Sequence, residues 1–308
     1  MSDIITNTHG IRLPSRYLIR RLDMSVLEWV TAMGIDGFML RNPSLWNPLL
    51  PYPKMANALA GLDKLSSYYA QAISSGFSYG IFDTEYAFKN PLSFSSPQML
   101  HWRTLDPGHI SFETYGAAQM QDAMDFPLVC IALSVDAFAP GDPYALFQLL
   151  DMMPLHGQLS SFLASLPLSI SSSPSSSSSS KSAGKQHHHH VLDHQSPTDY
   201  NQILIRTGCV TRKEYQGQGL ATALNRFVMH EAKAWGFSAL RVRLSSASLL
   251  RRSYARPPQG VRSEIVAHWD FEAIEMQCED EYGELVVRRP YKRSGLKEGW
   301  EVWCDLRR

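Results

Sequence analysis

The sequence predicts a mixed α/β fold, because short apolar runs typical of strands alternate with stretches of helical periodicity. The chain has 308 residues, 44% of them hydrophobic, which is enough to bury a sizeable core. A serine- and histidine-rich tract interrupts the pattern near the middle. We therefore expect an elaborated N-terminal half, a disordered insertion and a C-terminal α/β part, at residues 1–158, 159–198 and 199–308.

The N-terminal half is predicted to start with a strand at 17–21 and a helix that Asp23 caps. Apolar residues follow Asp23 at helical spacing, and Gly34 suits the helix exit. The proline-rich stretch 41–54 is expected to be a loop with aromatic side chains. The remainder predicts one helix and two strands, the second apolar enough to be buried in a sheet, at 61–74, 78–88 and 126–138.

The insertion is predicted from composition alone. Its serine run and its four consecutive histidines, at 187–190, offer too little apolar surface to offset the entropy of ordering. A flexible histidine tract has no fixed coordination geometry, so no metal site is expected. After it, the pattern predicts a strand, an amphipathic helix, a strand and two more strand candidates, at 203–211, 222–236, 238–244, 271–282 and 299–306.

Charge and cysteine usage argue against several classes of protein. Lys plus Arg equals Asp plus Glu at 29 each, so no overall field favours nucleic acid or an anionic membrane. The four cysteines lie far apart without a CxxC pair, and the first residues lack the pattern of a signal peptide. No stretch approaches the roughly 20 apolar residues that cross a bilayer. We therefore expect a cytoplasmic or nuclear protein with no nucleic-acid or membrane partner.

The clearest chemical signal is Gln216-Gly217-Gln218-Gly219-Leu220-Ala221, between a predicted strand and a predicted helix. The two glycines let backbone N–H groups approach a bulky anion, and the helix start adds its unpaired amides and its dipole. A phosphate or pyrophosphate fits such a turn. The alternative is a glycine turn that only reverses the chain.

Two phosphate motifs fail at this turn. The dinucleotide fingerprint requires a third small residue where Thr222 stands, and an acidic residue about 20 positions later, where the sequence reads FSALRV. The P-loop requires Gly-Lys followed by Ser or Thr, and the turn does not contain it.

A third motif fits in full: Gln or Arg, two residues, Gly, one residue, and Gly or Ala, matched by Gln216, Gly219 and Ala221. The segment therefore resembles the acetyl-CoA pyrophosphate loop of the GNAT superfamily of N-acyltransferases. Val210 before the loop, and the helix and strand after it, extend the resemblance. It implies a GNAT-like, mixed and mostly antiparallel central sheet flanked by helices, with acetyl-CoA as cosubstrate and no metal.

The resemblance also implies roles for particular residues. Cys209, Val210 and Thr211 are the positions at which a splayed strand would expose backbone groups to the pantetheine arm. Tyr254 is the only tyrosine in the segment where the family commonly has a general acid. The residues after it depart from the family pattern, which leaves His268 as the rival proton donor. Packing is the alternative explanation of both side chains.

The general base stays unassigned. Asp83, Glu85 and Glu113 fall in the part expected to face an acceptor, but surface charge explains each of them equally well. Three cations that flank the loop are candidate phosphate contacts, with solvated surface charge as the alternative: Arg212, Lys213 and Arg226.

The sequence thus predicts an enzyme that transfers an acetyl group from acetyl-CoA to a primary amine by direct attack in a ternary complex. The alternative is a non-catalytic acyl-CoA-binding module with the same fold. The amine, small molecule or protein, and the oligomeric state stay open, and the stretch 46–154 is expected to shape the acceptor pocket. Residues 76–80 spell a nucleophile elbow, but a helical pattern precedes them and a strand follows, which is the wrong order for a hydrolase.

Overall fold

The computed structural model describes residues 4–5, 11, 13–41, 43–44, 46–95, 99–139, 141–153, 155–166, 197–279 and 284–307. Most of the predicted insertion, including the histidines at 187–190, lies outside these residues. Within them, an eight-stranded sheet is covered on both faces, and a two-stranded sheet is separate from it.

The described part of the N-terminal half contains the first four strands and the first seven α-helices. The strands are β1 (Ile4–Ile5), β2 (Tyr17–Arg21), β3 (Tyr79–Asp83) and β4 (Leu128–Asp136). The helices are α1 (Leu27–Ile35), α2 (Lys54–Lys64), α3 (Ser66–Ser74), α4 (Pro91–Ser95), α5 (Phe112–Asp122), α6 (Pro143–Met152) and α7 (His156–Ser165). A π-helical turn, Asp36–Leu40, continues α1.

The C-terminal part begins with β5 (Ile203–Thr211), α8 (Leu220–Ala234) and β6 (Ala239–Leu244). A short α9 (Ala247–Leu249) then runs into a second π-helical turn, Leu250–Tyr254. The remaining strands are β7 (Arg262–Asp270), β8 (Met276–Glu279), β9 (Leu285–Arg288) and β10 (Glu298–Asp305).

The large sheet has the strand order β1-β2-β3-β4-β5-β6-β10-β7. Its neighbours pair antiparallel, except β5 and β6, which are parallel because α8 returns the chain between them. The predicted mixed, mostly antiparallel sheet flanked by helices is confirmed.

The parallel pair opens into a gap. β5 and β6 pair only from Ile203 with Ala239 to Arg206 with Val242, although β5 continues to Thr211. The β4–β5 register shifts at this point and leaves Thr207 without a strand partner, as a bulge does. Because a bulge bends its strand, β5 follows β4 from here on and separates from β6.

Two buried clusters cover the faces of the sheet. The face that we call the α8 face carries Leu204, Leu224, Val242 and Tyr254 in one cluster. The opposite face, here the α1 face, is packed by α1, α2, α3 and α5, whose core includes Trp29 stacked on Phe126. The gap between β5 and β6 therefore connects two separately packed layers.

Two helix predictions need correction. Gly34 does not end the first helix, which continues through the π-helical turn to Leu40. The glycine is needed for packing instead, because the Tyr69 hydroxyl occupies the place where a Cβ would stand. Residues 159–165, assigned to the insertion, belong to α7, since Leu159 is buried against the α1 face. The serine-rich composition after residue 166 caused the start of the insertion to be predicted too early in the chain.

The strand predictions near the C-terminus also need correction. The predicted strand covers 271–282, and of its described residues, 271–279, Met276–Glu279 alone forms a strand, which pairs with β9 in the small sheet. The strand of the large sheet is β7, Arg262–Asp270, which pairs with β10 and was not predicted. Because β7 is a half-exposed edge strand, its sequence mixes polar and apolar residues and shows only weak strand character.

Three further findings concern the described residues only. None of their helices is long and apolar enough to span a bilayer. Cys130, Cys209 and Cys304 are free thiols in this part of the chain. No group of three His, Cys, Asp or Glu side chains within it is arranged to hold a metal ion.

Candidate active site

The predicted phosphate loop lies between β5 and α8. Gly217 and Gly219 have φ values of +80° and +82°, which glycine adopts readily and other residues rarely. A Cβ built at either position meets no atom within 4 Å, so the space over the loop is open. Gly219 is the N-cap of α8, whose first amides have no carbonyl partner in their own helix. These amides and the positive end of the helix dipole suit a pyrophosphate.

The loop is held by its neighbours on both sides. Leu220 is 1% exposed and packs in the α8-face core, where Ala221 also packs against it. The Tyr17 hydroxyl donates to Gln218 Oε1 at 2.6 Å, and Gln216 Nε2 donates to the Thr211 carbonyl oxygen at 3.3 Å. Because the side chains of Leu220 and Ala221 pack in this core, these two residues are positioned to contact an anion through their backbone and not through their side chains.

A buried carboxylate supports the residue before the loop. The Tyr215 hydroxyl donates to Asp83 Oδ2 at 2.9 Å, and Arg16 binds both oxygens of the same carboxylate. Burial raises the pKa of Asp83, but the hydrogen bonds from Arg16 and Tyr215 lower it more, so the net pKa is below its ordinary value. Burial and the nearby carboxylate raise the pKa of Tyr215. Asp83 therefore supports the loop and is not free to act as a base.

A basic cleft of about 1310 Å³ begins at Gly219 and runs along α8 to the second π-helical turn. Arg226 Nη2 ties the two elements together by donating to the carbonyl oxygens of Arg252 and Arg256, each at 3.1 Å. The cleft contains four arginines and, in the described residues, no carboxylate: Arg226, Arg251, Arg252 and Arg256. Its charge suits a phosphorylated ligand.

A second cleft, of about 370 Å³, occupies the gap between β5 and β6. On the α8 face its lining includes Arg206, Cys209, Val242, Leu249 and Tyr254. On the α1 face the lining is mainly apolar and aromatic: Phe38, Trp46, Leu159, Leu163, Trp269, Phe271 and Leu296. Gln216 lines the same cleft, so the cleft begins at the phosphate loop.

The alternation of β5 decides which backbone groups face this gap. The Arg212 N–H donates to the Val129 carbonyl oxygen, so Arg212 and, two residues earlier, Val210 direct their backbone groups to β4. Those of Cys209 and Thr211 point the other way, into the gap. The Thr211 carbonyl accepts from Arg41 Nη1 at 2.6 Å. Of the three residues predicted to expose backbone to pantetheine, Val210 is therefore placed differently, with its side chain buried on the α1 face.

Tyr254 lies in the cleft wall at the end of the second π-helical turn. Its hydroxyl donates to Asn225 Oδ1 at 2.8 Å, and Asn225 Nδ2 is 2.7 Å from the Ala221 carbonyl oxygen and 3.3 Å from Cys209 Sγ. Burial raises the pKa of Tyr254, so the phenol stays protonated at neutral pH. A hydrogen-bonded chain thus joins Tyr254 through α8 to β5.

Two thiols share this region. Cys130 Sγ lies 3.1 Å from Thr211 Oγ1, and Cys209 lies beside it in the sheet. The hydrogen bond from Cys130 and the positive charge of Arg206 lower the pKa of Cys209, against the effect of burial. Burial raises the pKa of Cys130. Cys209 is therefore the more acidic of the pair.

The rival proton donor, His268, does not line the cleft. His268 lies on β7 with its side chain 51% exposed, stacked on Trp300 and 3.4 Å from Glu298. It is not among the described residues that line the gap. Of the two predicted proton donors, Tyr254 lines the gap and His268 does not.

Three other candidates have local structural roles. Glu113 Oε1 accepts from the N–H groups of Met55 and Ala56 at the start of α2. Arg212 is 2% exposed, donates to the Phe126 carbonyl oxygen at 2.7 Å and lies over the rings of neighbouring aromatic residues. Glu85 is exposed and 4.0 Å from Arg16. Of the cations that flank the loop, Arg226 lines the basic cleft and Lys213 is exposed.

The rejected nucleophile elbow is buried. Ser78 is 0% exposed, and its hydroxyl donates to the Ala72 carbonyl oxygen at 2.6 Å. It follows helix α3 and precedes strand β3, the reverse of the order that an elbow requires. The hydroxyl is therefore closed to a substrate.

Sequence reasoning missed two polar residues of the gap, Arg206 and Asn225. Arg206 stands in an apolar strand, in the segment ILIRTGCVT, on the same face as the buried Leu204. Asn225 stands among the apolar residues of α8 and is 0% exposed. A polar residue at a core position of the periodic pattern is the signal that would have identified both.

The strand order, the single parallel pair that opens into a gap, and the glycine loop at the start of α8 together define a GNAT-like fold. No family model matches the chain, and no curated protein sequence matches it. The comparisons that do find similarity are with solved structures.

Arylalkylamine N-acetyltransferase 2 from Aedes aegypti is similar at a TM-score of 0.49 and 12% identity, over 94% of this chain and 99% of that one. The C-terminal condensation domain of Ebony, in complex with β-alanyl-dopamine, is similar at 0.48 and 11%, over 93% and 97%. An apo agmatine N-acetyltransferase mutant is similar at 0.42 and 11%, over 94% and 99%.

Proposed function

We propose that this chain is an acyl-CoA-dependent N-acyltransferase that moves an acyl group, with acetyl as the predicted case, from CoA to a primary amine. One observation carries the proposal: Gln216, in the loop shaped by Gly217 and Gly219, lines the gap between β5 and β6. A phosphorylated thioester needs both, because its pyrophosphate and its reactive carbonyl are separated by an extended arm.

The donor is held mainly by backbone groups. The amides at the start of α8 bind the pyrophosphate, and arginines of the basic cleft, including Arg251 and Arg252, bind the remaining phosphate. The Cys209 carbonyl oxygen and the Thr211 N–H, which point into the gap, pair with the amides of the pantetheine arm. This leaves the thioester in the gap, beside Tyr254.

The acceptor approaches from the α1 face, where Trp46, Leu163 and Trp269 line the cleft. Its neutral nitrogen attacks the thioester carbonyl, a carbon–nitrogen bond forms, and the carbon–sulfur bond breaks. The Cys209 N–H faces the gap and supports the developing oxyanion. Tyr254 gives its proton to the departing thiolate, since its raised pKa keeps it protonated at neutral pH. The attacking nitrogen loses a proton to solvent, and the Tyr254 phenolate regains one from solvent.

A second function is favoured by one observation. Tyr254 is 1% exposed and its hydroxyl is already engaged by Asn225, as in a residue that only supports the fold. A module that binds acyl-CoA without transferring the acyl group would keep the loop and the gap and need no free proton donor.

Amine-dependent release of CoA thiol tests the proposal and separates the two functions. Purified protein is mixed with acetyl-CoA and a panel of primary amines, and free thiol is followed with a chromogenic disulfide. Release that depends on both substrates supports the transferase. Binding of acetyl-CoA with no release for any amine supports the binding module. Absence of both contradicts the proposed function.

A further inference from the structure

Arg206 is a buried cation without a partner among the described residues. It is 5% exposed, and its Nε, Nη1 and Nη2 atoms have no hydrogen-bond partner in that part of the chain. The other cleft arginines differ, because Arg41 is paired with Asp36 and Arg243 with Glu301. Arg206 therefore carries the unpaired charge of the cleft.

An unpaired guanidinium is costly to bury. Arginine stays charged at any physiological pH, so it cannot reduce the cost by losing its proton. Buried charges in proteins are paired with an opposite charge or fully hydrogen-bonded. The described residues that line this cleft include no Asp or Glu. An anion from outside the chain would supply the partner that the described carboxylates do not.

The location of Arg206 limits what that anion is. Arg206 and Val242 are the last paired residues of β5 and β6, so Arg206 stands at the closed end of the gap. Ser134, paired with Arg206 across the β4–β5 ladder, also has a buried hydroxyl without a partner in the described structure. The phosphate loop lies at the other end of the gap, near Thr211. The phosphates of a donor held by the loop are thus distant from Arg206.

The side of the sheet indicates which substrate supplies the anion. Arg206 pairs with Val242 of the α8 face, and its charge acts on Cys209 and Tyr254 of the same face. This is the donor side of the gap. The apolar α1 face, where the acceptor approaches, lies on the opposite side.

We propose that Arg206 binds the terminal carboxylate of the acyl group, so that the cleft accepts the CoA thioester of a short dicarboxylic acid. This inference rests on the proposed function and names its donor class. A carboxylate matches the planar fork of the guanidinium, which holds it by two parallel hydrogen bonds.

The test is a calorimetric titration with a matched pair of thioesters. Succinyl-CoA and butyryl-CoA have four-carbon acyl chains and differ in the terminal carboxylate. The parent protein is expected to bind succinyl-CoA about tenfold more tightly or better, and R206L to lose that preference. R262L, on the edge strand β7, is the control and should keep it.

Folding does not limit this test. The parent protein alone shows whether the carboxylate is preferred, and removal of an unpaired buried charge is not expected to lower the melting temperature of R206L. R206K, which keeps the charge but not the fork, should retain part of the preference.

Three results would overturn the inference. The first is equal affinity of the parent for both thioesters, with acetyl-CoA bound normally, which leaves the proposed function intact. The second is a preference that survives in R206L. The third is that Arg206 binds a carboxylate of the acceptor and not of the donor. In that case the acetyl-CoA complex of the parent would bind phenylalanine more tightly than phenethylamine, and R206L would lose this difference. Absence of binding of every thioester, in contrast, contradicts the proposed function itself.

Discussion

The two sides of the β5–β6 gap are built by different means. On the α8 side, polar groups are fixed by the sheet and by the start of one helix: the Cys209 backbone, Asn225, Tyr254 and Arg206. On the α1 side, the lining comes from apolar side chains on separate segments, such as Trp46, Leu163 and Trp269. The bulge at Thr207 separates the strands and gives access to both sides.

The difference indicates which part of the site is constrained and which is adaptable. The α8 side, proposed to bind the donor, depends on backbone geometry, so most of its side chains should be replaceable without loss of the proposed anion site. The α1 side, proposed to bind the acceptor, depends on the size and shape of side chains, including Leu159 and Leu163 of α7. We therefore expect donor-side changes to alter acyl-CoA binding or the chemical step, and acceptor-side changes to alter the apparent affinity for the amine.

Tyr254→Phe, on the donor side, should have the largest effect. Loss of the proton donor is expected to lower kcat about 100-fold, with the KM for acetyl-CoA nearly unchanged. In the parent, the rate should not fall as the pH rises to about 9, because the raised pKa keeps Tyr254 protonated. Tyr79→Phe, which removes a buried hydroxyl bonded to Glu231, is the matched control. An unchanged kcat in Tyr254→Phe would remove the general-acid role.

Leu163→Ala tests the acceptor side. Removal of a half-buried apolar side chain of the cleft is expected to raise the KM for the amine about fivefold, since about 1 kcal/mol of apolar contact is lost. The dissociation constant of acetyl-CoA should not change. Leu146→Ala, at an exposed site on α6, is the control. Weaker acetyl-CoA binding in Leu163→Ala would show that the two sides are not separable.

Asp83→Asn tests the support of the loop. The substitution removes the charge that Arg16 and Tyr215 bind, and is expected to lower the free energy of unfolding by about 1 kcal/mol at neutral pH, a value reduced for the exposure of Arg16. Because the pKa of Asp83 is lowered in the folded protein, its contribution is complete above about pH 4 and is lost as the pH falls through the lowered value. Thermal unfolding from pH 3 to 7 should thus show a weaker acid dependence in the variant. An identical pH profile would contradict this.

The double substitution Arg251→Ala with Arg252→Ala should have the smallest effect. Both side chains are exposed in the basic cleft, so each contributes little and is screened by salt. CoA binding is expected to weaken about threefold at low ionic strength and to match the parent at high ionic strength. CoA without its 3′-phosphate serves as the control ligand and should respond less. An effect that persists at high salt would mean that the substitutions damage the loop.

The sequence predicted the elements that are regular and locally determined. The glycine turn before α8, the strand at 203–211 and the helix after the loop follow from periodicity and from residues with special backbone preferences. β7 was not predicted, because an edge strand that is half exposed has no clear alternation. The boundary at residue 159 was wrong because serine-rich composition masked the buried Leu159.

The sequence predicted those candidate residues that belong to a local motif or to a short segment at a defined place after it. The loop residues and Tyr254 fall together, whereas the roles of Asn225 and Arg206 depend on contacts between elements that are distant in sequence. His268 illustrates the limit of spacing arguments, because the unpredicted strand β7 carries it to the exposed edge of the sheet. The bulge at Thr207 opens the gap, and the neighbouring Gly208 is the one feature of the sequence that hints at it.

The central claim is that acyl-CoA binds at the start of α8 and extends into the gap. Titration of purified protein with acetyl-CoA in a calorimeter tests it directly, beside a Gly219→Glu variant whose carboxylate and side chain would occupy the open turn. We predict saturable binding by the parent, and loss of that binding in a variant whose circular dichroism and melting temperature resemble the parent's. A folded parent that does not bind acetyl-CoA, or a folded Gly219→Glu variant that binds it equally well, would contradict the account.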